Sequence, residues 1–139
     1  MTQEHANVAL LKQLDQYLDN NNIAGASDLF SKGFVWHFFN EQLPNVQGDY
    51  VGVEGLQAFF EKLATVTGGT FQVEPVAIIP IGNELVVTHV QDTMTLDGRS
   101  IALDAVVVWR IVNGSIAEAW DIPAIHTIQT PQPPVATAA

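Results

Sequence analysis

The chain has 139 residues, with 15 acidic side chains against five basic ones and only 14% charged residues in total. This length corresponds to one domain of ordinary size, so an enzyme with a separate cofactor-binding domain is excluded. A net charge of −10 without any basic cluster argues against nucleic acid as a partner, because binding to phosphates depends on lysine and arginine. The absence of cysteine excludes disulfides, thiolate metal sites and cysteine nucleophiles.

No targeting or membrane segment is recognisable in the sequence. Met1 to His5 are polar and lack the basic and apolar regions of a secretion signal. The longest apolar runs are much shorter than the ~20 residues that span a bilayer. We therefore expect a cytoplasmic protein that does not have a membrane as a partner.

The first half of the chain predicts helices on both sides of a single strand. Apolar residues recur at helical spacing in three segments, and an aromatic and β-branched run between the second and the third predicts the strand. Gly33 is expected to close the second helix, and Gly68-Gly69 the third. The predicted elements are helices over 7–20, 23–31 and 54–66, a strand over 34–39 and a loop over 40–52.

The second half predicts an antiparallel meander. Asp97-Gly98 and Asn113-Gly114 are strong hairpin signals, because a type I′ turn needs positive φ at both central residues. Helices followed by a curved antiparallel sheet define an α+β fold. The predicted strands are 70–80, 84–94, 99–112 and 115–122. We expect a single domain over 1–128 and a disordered tail, rich in proline and alanine, over 129–139.

Two-residue hairpin loops fix the register of the last three strands, and directly opposed residues share a face of the sheet. One predicted face mixes apolar residues with a few polar ones, which is the composition of a small-molecule pocket. Its members are Leu85, Val87, His89, Gln91, Asp104, Val106, Val108, Arg110, Ala117, Ala119 and Asp121. The other face, which is apolar and carries Trp109 and Trp120, is expected to contact a second subunit in a homodimer. A β-bulge would shift this register by one residue and exchange the faces beyond it.

Four segments together carry a family resemblance. They are the helix around Tyr17, the strand Phe34-Val35-Trp36-His37, the segment Gly48-Asp49-Tyr50-Val51-Gly52 before a helix, and the ending from Trp109 to Asp121. In these segments, which extend over about residues 8–123, the chain resembles the SnoaL-like polyketide cyclase family of the nuclear-transport-factor-two-like superfamily. The resemblance implies a cone-shaped, cystatin-like α+β barrel, in which a bent sheet wraps around helices and encloses a pocket. It also implies dimers that form through the outer face of the sheet.

Three titratable residues are the candidates for catalysis. The resemblance implies that Asp121, on the last strand, acts as a general acid/base, and a carboxylate on an apolar pocket wall has a raised pKa that suits proton transfer. The alternative is a solvated aspartate at a strand end. His89 shares the predicted face of Asp121 and could bind a ligand oxygen, or it could be a structural histidine bonded to Asp104 or Gln91. His37 stands where the family often has a histidine, with a structural role as the alternative.

The remaining pocket candidates come from the first helix and the first strand. Tyr17 falls where ketosteroid isomerase carries its oxyanion-stabilising tyrosine, while the base of that enzyme falls at about Phe38, which cannot accept a proton. Strand parity separates His37 from Trp36 and Phe38, and the sequence does not decide which set faces inward. The predicted pocket lining is Tyr17, Trp36, Phe38, Gln91, Asp104, Val106 and Val108.

No pattern for a metal or a cofactor is present. The histidines lack the HxH and HExxH spacings of zinc sites, and there is no phosphate-binding loop or dinucleotide fingerprint. The favoured hypothesis is a cyclase- or isomerase-like enzyme that uses acid/base chemistry on a hydrophobic carbonyl compound in an internal pocket, without a cofactor. The alternative is a non-catalytic binding or dimerisation module that holds an apolar ligand in the same cone.

Overall fold

The computed structural model describes residues 4–130, which form two α-helices, a short 3-10 helix and six β-strands. In chain order the elements are α1 (Ala6–Asp19), the 3-10 helix (Ala24–Leu29), β1 (Phe30–Phe38), β2 (Gly48–Val51), α2 (Gly52–Thr67), β3 (Gln72–Ile81), β4 (Leu85–Leu96), β5 (Arg99–Val112) and β6 (Ser115–Pro123). The sheet order is β2-β1-β6-β5-β4-β3, with β1 and β6 parallel and the other neighbours antiparallel. The predicted α+β class and curved sheet are confirmed, but the sheet is open, because β2 and β3 are both edge strands.

The two predicted type I′ hairpin turns are confirmed. Asp97 and Gly98 have φ of 52° and 77°, and Asn113 and Gly114 have φ of 51° and 78°. These turns leave Leu96 opposite Arg99 and Val112 opposite Ser115, as two-residue loops require. The first residue pairs of both hairpins, next to their turns, are therefore predicted correctly from the sequence.

Two local predictions in the first half differ from the structure. Gly33 lies inside β1 instead of closing a helix, because the second helix is a 3-10 helix that ends at Leu29. The predicted loop over 40–52 contains β2, which pairs with the end of β1. A four-residue strand is too short to show a recognisable period, so nothing in the local sequence distinguishes it from a loop.

The chain beyond β6 returns to the sheet. Gln129 forms an antiparallel bridge with Ala102 through two backbone hydrogen bonds of 2.7 and 2.8 Å. Gln129 is the first residue of the predicted tail, and it is paired in the structure. The part of that tail over 131–139 lies outside the described residues.

The core forms where α1 and α2 pack on the inner face of the sheet. Leu11 and Leu14 of α1 are almost completely buried, and Phe59 of α2 is 1% exposed. The Phe59 ring lies at the centre of an aromatic cluster, with ring centroids 4.9 to 5.4 Å from those of four neighbours. These neighbours are Trp36, Phe38, Tyr50 and Phe60. The inner face of β1 is therefore the one that carries Trp36 and Phe38.

A β-bulge at Ala117 determines which side chains of β6 face inward. Ile111 pairs with Ile116, but the next residue of β5, Arg110, pairs with Glu118, so Ala117 is left without a partner. The predicted register has Arg110 opposite Ala117 and is wrong from this point onward. Because side chains alternate along a strand, the one-residue shift exchanges the two faces of β6.

The predicted pocket face is the outer face of the sheet, and this assignment was wrong. The β4–β5 pairs themselves are as predicted, with His89 opposite Val106 and Gln91 opposite Asp104. The helices, however, cover the other side. Inner-face residues of β4 to β6 include Val86, Asp92, Met94, Leu103, Val107, Trp109, Ala119 and Asp121. Outer-face residues include Val87, His89, Gln91, Asp104, Val106, Val108, Arg110, Glu118 and Trp120.

Candidate functional site

A cavity of about 460 Å³ opens on the inner side of the sheet, between the sheet, the end of α2 and the segment that follows β6. Its wall is mostly apolar, with a small number of polar side chains, and its volume is typical of small-molecule pockets. The lining residues are Phe38, Asn40, Gln42, Leu43, Leu63, Phe71, Asp92, Met94, Leu96, Asp97, Arg99, Ile101, Leu103, Asp121, Pro123, Ile125, Ile128 and Thr130.

Two carboxyl groups enter this cavity from different strands. Asp121 lies near the end of β6, directly beside Phe38 of the parallel strand β1. Asp92 lies on β4 and is 8% exposed. Its Oδ1 atom is buried without a hydrogen-bond partner among residues 4–130. A buried, unpaired carboxyl group opposes folding, so its presence in a cavity suggests a role in function.

Burial raises the pKa of both carboxyl groups. For Asp92 burial raises the pKa to about 7. For Asp121, burial and then the charge of Asp92 raise the pKa well above its usual range. Protein atoms surround the Asp121 side chain, which nevertheless keeps some surface open to the cavity. Because each ionised group disfavours ionisation of the other, the pair holds a proton near neutral pH.

The loop after β1 adds a third buried polar group. Asn40 is 7% exposed and lines the cavity. Its backbone N–H donates to Gln47 Oε1 at 2.8 Å, and its Oδ1 accepts from the Gln42 N–H at 2.9 Å. Gln42 in turn donates to the Ile125 carbonyl at 3.0 Å, which ties the loop to the segment after β6.

Arg99 is the basic residue among those that line the cavity. It is exposed at the start of β5, next to the Asp97-Gly98 turn. Its guanidinium group can reach an acidic group of a ligand at the rim of the cavity, whereas the deeper wall offers carboxyl and amide groups.

His37 lies outside the cavity, on the outer face of β1. Its Nδ1 is 2.7 Å from Asp49 Oδ1 and its Nε2 is 2.6 Å from Glu118 Oε2, and the ring stacks on Trp120. Carboxylates only accept, so both nitrogens donate in the charged imidazolium. Burial lowers the pKa of His37, but the two hydrogen bonds outweigh burial and the pKa is raised. The prediction that His37 assists Asp121 in the pocket is wrong, because His37 lies on the outer face of the sheet.

Most other predicted site residues also lie away from the cavity. His89 Nε2 donates to Asp104 Oδ1 at 2.8 Å on the outer face, which is the structural alternative considered for it. Tyr17 borders a separate shallow depression on α1, and Trp36 is buried in the aromatic core. Gln91, Asp104, Val106 and Val108 face outward. Phe38 and Asp121 are the two predicted site residues that line the cavity.

Asp92 and Asn40 line the cavity but are not among the site residues predicted from the sequence. A signal was present for Asp92, which alternates with Val90 and Met94 and so is an acid on an otherwise apolar face. That face was expected to contact a second subunit, and the acid therefore received no role. Asn40 gave no signal, because an asparagine in a loop is usual.

Within residues 4–130, no group of three or more histidine, aspartate or glutamate side chains could hold a metal ion. No helix in the same range has the length and apolar character needed to cross a membrane.

A curved, open sheet packed on helices, with a cavity at one end, defines the cystatin-like or NTF2-like class. An NTF2-like protein from Burkholderia pseudomallei superposes with a TM-score of 0.75 at 21% identity, covering 91% of this chain and 94% of that one. TerC, co-crystallised with polyporic acid, gives 0.74 at 22% identity, covering 87% and 93%. RV0760c from Mycobacterium tuberculosis, in complex with estradiol-17beta-hemisuccinate, gives 0.71 at 14% identity, covering 91% and 99%.

The sequence profile of the SnoaL-like domain matches residues 11–119. The chain therefore belongs to the SnoaL-like domain family, as the resemblance of its sequence indicated. No curated protein matches it.

Proposed function

We propose that this protein binds a small hydrophobic carbonyl compound in the cavity and moves a proton on it by acid/base catalysis. The observation that carries the proposal is the pair of carboxyl groups, Asp92 and Asp121, in one mostly apolar cavity. Burial brings the pKa of Asp92 to about 7, so this group can both take and release a proton at neutral pH. We assign the shared proton to Asp121, whose pKa is raised by burial and by the charge of Asp92, so that it can donate a hydrogen bond as an acid held neutral by an apolar site does.

The roles of the two groups follow from this assignment of the proton. The Asp92 carboxylate removes a proton from the carbon next to the carbonyl, and the electron pair of that C–H bond forms a carbon–carbon double bond. The carbonyl oxygen gains the displaced electron pair and receives the proton of Asp121, which gives an enol. Asp92 is now protonated and Asp121 ionised. Where a second double bond is conjugated with the enol, return of the proton from Asp92 to the remote carbon gives an isomer, and the enol O–H proton goes back to Asp121. Where the enol carbon attacks a second carbonyl instead, a carbon–carbon bond closes a ring, Asp92 protonates the new alkoxide and Asp121 recovers the enol proton.

Two structurally similar proteins support a small hydrophobic ligand that carries oxygen groups. TerC was co-crystallised with polyporic acid, and RV0760c was solved with estradiol-17beta-hemisuccinate. The cavity of this chain combines apolar walls with Arg99 at its rim and two carboxyl groups within. This composition favours a compound with an apolar body and oxygen substituents.

Hydrogen–deuterium exchange on a simple ketone tests the proton transfer without knowledge of the natural substrate. 2-Tetralone, a bicyclic ketone with exchangeable hydrogens beside the carbonyl, is incubated with the protein in D₂O and followed by NMR. We expect the protein to accelerate exchange above the buffer rate, and Asp92→Asn to remove about 10²-fold or more of that acceleration, as loss of a general base does. Asp28→Asn, at an exposed position, is the matched control and should behave as the parent.

The same experiment separates the enzyme from a binding module. Saturable binding of 2-tetralone with exchange at the buffer rate would refute catalysis on ketones and support the non-catalytic alternative. Native mass spectrometry of the protein as purified, with Asp121→Asn beside the parent, shows which bound compounds depend on the carboxyl pair.

Homodimer formation and a cytoplasmic location stay predictions. The surface assigned to the dimer needs correction, because Trp109 is buried in the core and Trp120 lies on the outer face. Exposed apolar residues of the outer face, among them Ile79 and Ile122, support contact with a second copy there. Analytical ultracentrifugation at micromolar concentration tests this, and a single monomeric species would refute it.

A further inference from the structure

We propose that the side-chain amide of Asn40 is a hydrogen-bond donor to the carbonyl oxygen of the bound compound, next to Asp121. This inference rests on the proposed function, since it identifies a second group that would bind the reacting oxygen. Asn40 lies in the loop after β1, where no sequence pattern distinguishes it from its neighbours.

The backbone places Asn40 beside Asp121. Phe38 is paired with Asp121 across the parallel strands, and the Phe39 N–H donates to the Asp121 carbonyl at 3.2 Å. Side chains alternate here: Phe38 lines the cavity, Phe39 is exposed on the other side, and Asn40 again lines the cavity. The side chains of Asn40 and Asp121 therefore enter the cavity from adjacent chain segments.

The hydrogen bonds of Asn40 identify which atom faces the ligand. Gln42 donates a backbone N–H, so the atom that accepts it must be the amide oxygen. This bond, with the one from the Asn40 N–H to Gln47, fixes the amide in one orientation. Among the described residues, no acceptor binds Nδ2, and this atom is not sealed inside the protein. A buried amide whose oxygen is used and whose N–H₂ group stays free can bind an acceptor in the cavity.

Two donors then converge on one oxygen. Asp121 supplies an O–H while its raised pKa keeps it protonated, and Asn40 supplies an N–H that does not depend on pH. Charge on the carbonyl oxygen grows when Asp92 removes a proton, and oriented donors stabilise that charge in a site with little water. Asn40 thus has its largest effect on the enol-forming step, and a smaller one on binding.

Comparison of the affinities for a ketone and for the corresponding hydrocarbon measures the contribution of the hydrogen bond from Asn40 to the carbonyl oxygen. 2-Tetralone and tetralin have the same ring system and differ by the carbonyl group. For each variant the measured quantity is the ratio of the Kd of tetralin to the Kd of 2-tetralone, together with the ¹³C shift of the labelled carbonyl in the bound ketone. Asn40→Leu has nearly the same size as asparagine and no donor, and Asn40→Ala removes the whole amide. Both variants also lose the acceptor for the Gln42 N–H, but a change in cavity shape acts on both compounds and cancels in the ratio. Asn45→Leu makes the same change at an exposed position of the same loop.

We expect the Kd ratio to fall about fivefold in both Asn40 variants, the effect of one neutral hydrogen bond, and to stay unchanged in Asn45→Leu. The downfield carbonyl shift on binding should decrease in parallel. If the parent binds both compounds and the Kd ratio and the shift are unchanged in Asn40→Leu, Asn40 has only a structural role and this inference is overturned, while the proposed function stands. If the parent binds neither compound, both proposals are overturned.

Discussion

Replacement of Asp92 by asparagine is expected to stabilise the fold, by an amount that depends on pH. Asp92 ionises near pH 3.8 in its ordinary state, whereas burial raises its pKa to about 7 in the folded protein. Between these values the folded state binds more protons than the unfolded state, so stability decreases as the pH rises. The penalty is absent below pH 3.8 and complete above pH 7. Asparagine has nearly the same shape and no charge, so it removes this penalty.

The size of the effect follows from the two pKa values. At about 1.4 kcal/mol for each pH unit, the ionised group costs about 4 kcal/mol at pH 8 and about 2 kcal/mol at pH 5. The stabilisation by Asp92→Asn should therefore roughly double between these two conditions. Asp92 is almost completely buried, so solvent screening reduces these values little.

Urea denaturation followed by tryptophan fluorescence at pH 5 and pH 8 measures the free energy of unfolding. Asp28→Asn, at an exposed site, removes one negative charge from the same acidic chain and controls for the general relief of repulsion. An equal gain at both pH values would contradict the reasoning, because the benefit would then not come from ionisation. A loss of stability at pH 8 would show that the carboxylate has a stabilising partner in the folded protein.

Three further predictions concern the core, a turn and the outer face. Phe59→Ala should lower the free energy of unfolding by about 3–5 kcal/mol in urea denaturation, since the ring is fully buried among four aromatic neighbours. Gly114→Ala should lower the free energy of unfolding by about 1–2 kcal/mol, because Gly114 has φ of 78°. Gly33→Ala in β1 should lower it little, because a Cβ added there meets no other atom. A similar loss in both variants would refute the role of the turn. His37→Gln should lower the stability more at pH 5.5 than at pH 8.5, as measured by thermal unfolding. The raised pKa of His37 means that its charged form stabilises the folded protein at low pH, and this contribution is lost as the pH rises through the folded pKa.

Local chemistry made much of the fold predictable. Asp97-Gly98 and Asn113-Gly114 require a particular turn geometry, and that geometry fixes the first pairs of each hairpin. The β4–β5 register followed correctly over its whole length from one such turn. Which face the helices cover could not be derived in the same way, because both faces of this sheet are largely apolar and the difference lies in long-range packing.

The candidate site was predicted only in part, for a related reason. Asp121 lines the cavity, as predicted. The predicted register, however, has it on the same face as His89, and both the β5–β6 register and the choice of inner face were wrong. For Asp121 the two errors cancelled, so the residue was predicted in the cavity and lies there. For His89 only the choice of face was wrong, so the residue lies on the outer face. Asp92 could have been found from its position among apolar residues of β4, had that face been recognised as the inner one. Asn40 depends on hydrogen bonds within a loop, for which the sequence has no periodic signal.

The bulge at Ala117 affects how chains of this fold can be compared. The residue count from the Asn113-Gly114 turn to Asp121 does not determine the face on which the acid lies, since one unpaired residue reverses the outcome. A relative with the same number of residues but without the bulge would carry the tryptophan of β6 into its cavity and the aspartate onto its surface. A relative that lacks Ala117 would keep the present pairs, with the acid inside and one residue closer to the turn. An alignment that closes a one-residue gap between the turn and the end of β6 would therefore equate an acid in one protein with a surface residue in the other. Inference of a shared acid across this family should begin with the pairing of the last two strands and only then turn to the identity of the residue.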